Sequence, residues 1–209
     1  MGSVVALESL LAAQTLWHAG RSAVAPADSE STGHHELDRL LPQGGWPRGA
    51  LTELLLPADG VGEIGLLMPT LARLTQAGGE VVLIAPPYLA YAPAWQTGGV
   101  ALAHLHLVEA APRDALWAFE QCLRSGACAT VIGWPSTADG RALRRLQVAA
   151  GSGDCLGFAL RDRRHALNAS PAALRLEYTR ESGGRAGAWQ VRKCRGGHPP
   201  AQAFAWTGH

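Results

Sequence analysis

Apolar residues recur at Val4, Leu7, Leu10, Leu11 and Trp17, a helical stripe that Ser3 can cap, so residues 1–20 are expected to form an N-terminal helix. Residues 21–35 are small and polar around a single proline and read as a flexible linker, in which His34 and His35 are expected to be solvated. A helical turn and a Gly-Pro-rich turn then lead into a strand at 50–56. From there the period of the pattern alternates. Residues 62–77 place Ile64, Leu67, Met68, Leu71 and Leu74 on one helical stripe, and 80–85 (EVVLIA) is the near-continuous apolar run of a buried parallel strand. A Pro86-Pro87 corner precedes a short helix at 91–96. Strand-like and helical stretches then alternate: strand 104–108, helix 112–124, strand 129–134 and helix 137–150. Further strands are expected at 154–161, 174–180 and 188–193. This order predicts an α/β domain over 36–195 with a mixed, mainly parallel sheet and antiparallel strands at its C-terminal side. Residues 196–209 are rich in Gly, Pro and Ala and are expected to be a loosely ordered tail.

Composition sharpens this outline. The chain has 209 residues, of which 47% are hydrophobic and 17% charged, which excludes disorder over its whole length. No apolar run reaches the roughly 20 residues of a membrane span. Glu8 interrupts the first apolar stretch, and no basic residue precedes it, so a soluble, cytoplasmic protein without membrane contact is expected. The cysteines Cys122, Cys128, Cys155 and Cys194 form no C-x-x-C pair and read as small core residues rather than metal ligands or disulfides.

Charge is unevenly spread. Residues 1–140 carry six arginines against thirteen acids, a balance of −7, and residues 141–209 carry twelve basic residues against four acids, a balance of +8. A basic C-terminal part is either a surface for phosphate or an acidic partner, or the complement of the acidic part within the fold. Lys193 is the only lysine, so no G-K-[ST] phosphate loop exists in the chain. His104 and His106 alternate along a strand, but no further ligand lies nearby in sequence, and a structural role is expected of them with no metal. There is no G-x-S-x-G nucleophile motif.

The block Gly44-Gly45-Trp46-Pro47-Arg48-Gly49, a strand ending near Glu53, and a Pro/Gly-rich loop opening a helix together resemble a RecA-type core. In such a core the loop cradles phosphates with backbone amides and a lysine answers their charge. The loop here reads Pro57-Ala58-Asp59-Gly60-Val61-Gly62-Glu63-Ile64. By the resemblance, Glu63 stands in the lysine slot and Ile64 in the slot of the Mg²⁺-binding hydroxyl. Trp134 replaces the aspartate that closes the second motif, and Pro87 stands where a catalytic glutamate would follow the strand at 80–85. At an effective dielectric of 20 and about 4 Å a charge pair is worth about 4 kcal/mol, so a carboxylate for a lysine reverses a large local term. The resemblance therefore implies a degenerate, P-loop NTPase-type three-layer RecA-like fold that takes no cofactor and is not an enzyme.

Among RecA relatives of this kind the chain is most similar to the ImuA family, through LDRLLPQGGWPRGALTELL, the G-x-G-E loop, RALRRLQVAAGSGDCLGFALR and SPAALRLEY. That resemblance implies a non-catalytic adaptor of DNA-damage-induced translesion synthesis. Its partners would be an ImuB-like inactive Y-family polymerase homologue, an error-prone replicative-type polymerase subunit and RecA, with DNA as a weaker candidate. A SulA-like cell-division inhibitor is the alternative from the same ancestry. A divergent DNA-dependent ATPase that uses Arg73 in place of the lysine is the other.

Candidate contact residues follow. Leu7, Leu10, Leu11 and Trp17 form either a partner-binding helix or one packed on its own domain. Trp206, alone in a small-residue tail, is a candidate anchor for a partner. Arg141, Arg144 and Arg145 share a helical face, and Arg161, Arg163 and Arg164 form a second cluster. Both are DNA-binding candidates or solvated surface, and both lack interleaved aromatics for base stacking.

Overall fold

The computed structural model describes residues 29–180 and 187–206. Leu7, Leu10, Leu11 and Trp17 therefore lie outside the described residues. A two-stranded antiparallel ribbon, β1 (Ser29–Glu30) with β2 (Trp46–Pro47), encloses helix α1 (His35–Leu40). The chain then enters an eight-stranded sheet. Its strands are β3 (Ala50–Leu56), β4 (Glu80–Ile84), β5 (Leu105–Val108), β6 (Cys128–Gly133), β7 (Leu156–Asp162), β8 (Leu174–Arg180), β9 (Gly187–Cys194) and β10 (Phe204–Trp206). Helices α2 (Glu63–Gln76), α3 (Ala92–Thr97), α4 (Pro112–Arg124) and α5 (Gly140–Ser152) connect them.

Across the sheet the order is β10-β9-β8-β3-β7-β6-β4-β5. The six strands from β8 to β5 are mutually parallel, and β9 and β10 run antiparallel at one edge. The architecture is thus α/β with a mixed, mainly parallel sheet, as the alternating periods predict. Two expectations are corrected. The strands at 154–161 and 174–180, expected to start an antiparallel part, are β7 and β8, both parallel to β3 and flanking it. The reason is length: the α5 crossover and the 163–173 connection each return the chain to the amino end of the sheet. The tail expected to be loose contains β10, whose Phe204 pairs in register with Trp189.

Helices cover both faces, and each face has its own core. Trp46, Leu66, Leu67, Leu71, Phe158 and Trp189 fill the side of α1, α2 and α3, whereas Phe119, Leu123, Val131, Leu143 and Leu146 fill the side of α4 and α5. Full burial of such side chains contributes about 1.5–3 kcal/mol each. Trp46 explains the GGWPRG block. Its ring meets Phe158 edge-on at 5.2 Å, and its Nε1 donates to Thr70 Oγ1 at 3.0 Å, whose hydroxyl in turn reaches the Ser31 and Thr32 carbonyls. The ribbon is thereby pinned to α2, and residues 29–35 of the expected linker are ordered. His34 is half-buried, with Nε2 donating to the Leu66 carbonyl, whereas His35 is exposed.

Under the carboxyl ends of the strands lies a buried charge cluster. Glu53 is fully buried on β3 between Arg161 of β7 and Arg175 of β8. Arg161 Nη1 donates to Glu53 Oε1 at 2.7 Å, and Arg175 Nε stands 2.8 Å from Oε2 as an ion pair at an angle poor for a hydrogen bond. The remaining guanidinium donors reach loop carbonyls: Arg161 to Ala138, and Arg175 to His165, Ala166 and Asn168. Two cations around one carboxylate therefore hold the loops after β6 and β7 in place.

Candidate functional site

In open α/β sheets ligands bind outside the carboxyl ends of the strands, and here that end carries the loop from β3 to α2. Gly60 (φ +80°) and Gly62 (φ +106°) take left-handed conformations that the loop needs to turn into the helix. Such a loop points backbone amides at an anion, with the positive end of the helix behind them. In this chain the anion is supplied from within: the Gly60 amide donates to Glu63 Oε1 at 2.8 Å, and Glu63 is only 4% exposed. The outer side is covered by the C-terminal strand. A Cβ on Gly62 would lie 2.8 Å from Trp206 Nε1, and the Trp206 ring is held edge-on to His34 at 5.3 Å. Trp206 is thus a lid over the loop of its own chain, rather than the free anchor its place in a small-residue tail suggests.

The nucleotide and Mg²⁺ that the RecA resemblance brings to mind do not fit these residues. Glu63, in the slot the resemblance gives to lysine, is a buried carboxylate already bonded to the loop, Ile64 in the first turn of α2 is half-buried against the core, and Trp134 lines the cleft. Asp59 adds a second carboxyl at the mouth. Partial burial raises its pKa above the ordinary carboxylate value, and the charges of Glu63 and Asp162 push it the same way. Arg73 cannot stand in for the lysine. It lies ten residues along α2 from Glu63, about 15 Å at 1.5 Å per residue, and is bound to Glu30 at 2.7 Å and to the Ser31 carbonyl.

Beside the loop the carboxyl ends form a trough. A pocket of about 230 Å³ lies between the loop, Trp134 and Arg164. It shares Asp59, Trp134 and Ser136 with a larger, mainly apolar groove of about 600 Å³, which Ile84, Pro86, Leu107, Leu116 and Phe119 help to line. One wall is the segment after β4. Ala85 sits at φ +45°, rare for a residue with a Cβ, and its amide is bonded to the Val108 carbonyl. Beyond this turn Pro87 is exposed and Tyr88, Leu89 and Tyr91 project into solvent, Leu89 with 89% of its surface. Single exposed apolar residues are ordinary, but three within four residues, of which Tyr88 and Leu89 line the apolar groove, make a candidate contact patch.

The other candidates fall elsewhere. Arg161 is buried against Glu53 and is not available to DNA, while Arg163 and Arg164 are exposed, the latter near Asp162. The sequence pattern shows Arg161 at the end of an apolar strand but not the glutamate on β3 that draws it inside. Arg141, Arg144 and Arg145 are exposed on α5, with Arg145 bonded to Glu120 of α4. His104 and His106 both bind Glu80, at 3.1 and 2.6 Å, at the opposite end of the sheet. These contacts, His106 first, hold the Glu80 carboxyl below its ordinary value. Among the described residues no group of three or more His, Cys, Asp or Glu side chains is arranged to hold a metal ion, and no helix is long and apolar enough to cross a membrane.

No protein-family model matches the chain, and no curated protein matches it. Among solved structures it is similar to the crystal structure of SulA from Pseudomonas aeruginosa, at 27% identity and a TM-score of 0.45. That similarity covers 53% of this chain and 96% of the other.

Proposed function

We propose that this protein is a non-catalytic adaptor built on a degenerate RecA-like fold, acting in DNA-damage-induced translesion synthesis. The observation that carries the non-catalytic part is the Gly60–Glu63 hydrogen bond, by which the loop binds its own carboxylate where a nucleotide phosphate would sit. The RecA-like part is supported by a strand–glycine loop–helix unit, β3 to α2, at the centre of a parallel sheet. Assignment to the mutagenesis machinery rests on the sequence resemblance of residues 36–178. With the phosphate site closed, what remains at the active end is the apolar groove with its Tyr88, Leu89 and Tyr91 rim. This surface suits an apolar segment of a polymerase-type partner.

The test is capture of partners by tagged full-length protein from DNA-damaged cells, read by mass spectrometry, with a Leu89→Asp/Tyr91→Asp variant alongside. Polymerase-type partners or RecA, lost from the variant, are the expected result. Recovery of the division tubulin homologue alone overturns the proposal in favour of the SulA-like inhibitor.

A further inference from the structure

Helices α4 and α5 lie side by side on one face of the sheet, and each carries part of a surface that neither shows alone. Both return the chain against the strand direction, so they run parallel to one another. They also end level: a Cβ on Gly153, just after α5, would overlap the Leu123 carbonyl oxygen of α4. Six residues back from Leu123 is Trp117, and six back from Gly153 is Gln147, so Trp117 stands opposite the turn of α5 that carries Arg144, Arg145 and Val148. The pairing is fixed by Glu120, one turn beyond Trp117. It accepts from Arg145 across the helix pair at 3.0 Å and from Arg124 along its own helix at 2.6 Å.

Trp117 is 65% exposed and Val148 59%, an unusual exposure for both side chains. Around them are Arg113, Arg124, Arg141, Arg144 and Arg145, against Asp114, Glu120 and Asp139, the last of which caps α5 by accepting from the Ala142 amide. Glu120 is committed to Arg124 and Arg145, and Asp114 to Arg113. Arg141 and Arg144 make no ion pair among the described residues.

We infer that this face is a docking site for an acidic peptide segment carrying one bulky apolar side chain. The apolar side chain would lie on Trp117 and Val148, and flanking carboxylates would pair with Arg141 and Arg144. Charge complementarity argues for the acid, because a guanidinium fork suits a carboxylate, and Glu120 already shows two of these arginines sharing one. The single aromatic argues against single-stranded nucleic acid, which needs a succession of stacking rings and an uninterrupted cationic track. Glu120 sits in the middle of that track. The inference does not rest on the adaptor reading, since neither the groove nor the loop after β3 contributes to this surface.

The test is fluorescence anisotropy of the full-length protein at low salt. The probe is a fluorescein-labelled ten-residue peptide of aspartates around a central phenylalanine. Its Phe→Ser counterpart and a twenty-nucleotide oligothymidine serve as comparisons. Saturable binding of the aspartate–phenylalanine peptide is expected, weakened about tenfold or more by Trp117→Ala and by Arg141→Ala/Arg144→Ala. Loss of the phenylalanine should weaken it similarly. These positions are exposed, so melting curves should be unchanged, and Arg141→Glu/Arg144→Glu gives an independent variant if Trp117→Ala does not fold. Absence of peptide binding, or binding indifferent to these variants, overturns the inference. Tighter binding of oligothymidine, sensitive to Trp117→Ala, overturns it in favour of nucleic acid. Neither result bears on nucleotide binding or on partner capture through the groove.

Discussion

The amide of Gly60 and the carboxylate of Glu63, three residues on, are joined by a 2.8 Å hydrogen bond, so the loop before α2 carries its own anion. A carboxylate in the first turn of a helix also meets the positive end of the helix dipole. The Gly60 amide is satisfied within the chain, while Glu63 Oε2 is buried without a partner. Glu63 thereby serves as an internal cap of the loop.

Glu63→Ala should remove this bond and leave a partly buried donor unpaired. A loss of about 1–3 kcal/mol is expected in urea unfolding, the range for a buried donor left unsatisfied. Glu63→Gln keeps an acceptor and removes the repulsion with Asp59, so it should lose less than Glu63→Ala. A Glu63→Gln variant as unstable as Glu63→Ala would contradict the role given to the bond.

The Trp206 lid can be tested against Gly62. Gly62→Ala is expected to destabilise through the left-handed backbone, at about 1–2 kcal/mol for a residue with a Cβ, and through contact with the indole. In a Trp206→Ala background the contact vanishes and only the backbone cost remains. A double-mutant cycle should therefore show coupling between the two positions, and strict additivity would contradict the packing described.

Glu53 holds two arginines in the interior. Glu53→Leu leaves both without a counter-ion and is expected to cost about 3–5 kcal/mol in equilibrium unfolding. Replacing all three residues by apolar ones should not restore full stability. The carbonyls of Ala138, His165, Ala166 and Asn168 would then lose their donors. Full recovery in the triple variant would show that those loop contacts contribute nothing.

Asp59 gives a pH signature. Its folded pKa is raised, so at neutral pH its ionised form disfavours the fold, and the penalty disappears as pH falls below the unfolded value near 3.9. Asp59→Asn should therefore raise the melting temperature slightly at pH 7 and leave it unchanged near pH 3. The gain is small because the carboxyl remains largely in water. A destabilised Asp59→Asn at pH 7 would reverse the sign of the argument.

Local pattern sufficed for most elements: β3, α4 and β8 fall on the residues their periodicity predicts, and the other strands and helices expected between 62 and 193 move by one to three residues, but β1, β2 and β10, at two or three residues each, are too short to leave a period. The G-x-G-E turn into α2 was legible, since its glycines and its acid are adjacent in sequence. What was not legible depends on distant partners. Arg161 reads as a surface cation until Glu53, 108 residues away in sequence, draws it inward. Trp206 reads as a loose anchor until β9 offers it an edge and His34 a ring. The arginines of α5 lack aromatics along their own stretch, and the aromatic comes from α4 through helix packing that no local period encodes.

Calorimetric titration of the full-length protein with ATP and Mg²⁺ at millimolar concentration tests the central claim most directly. With Glu63 bonded to Gly60 and Trp206 over Gly62, no saturable heat is expected, with or without DNA present. A saturable, magnesium-dependent isotherm would contradict the account.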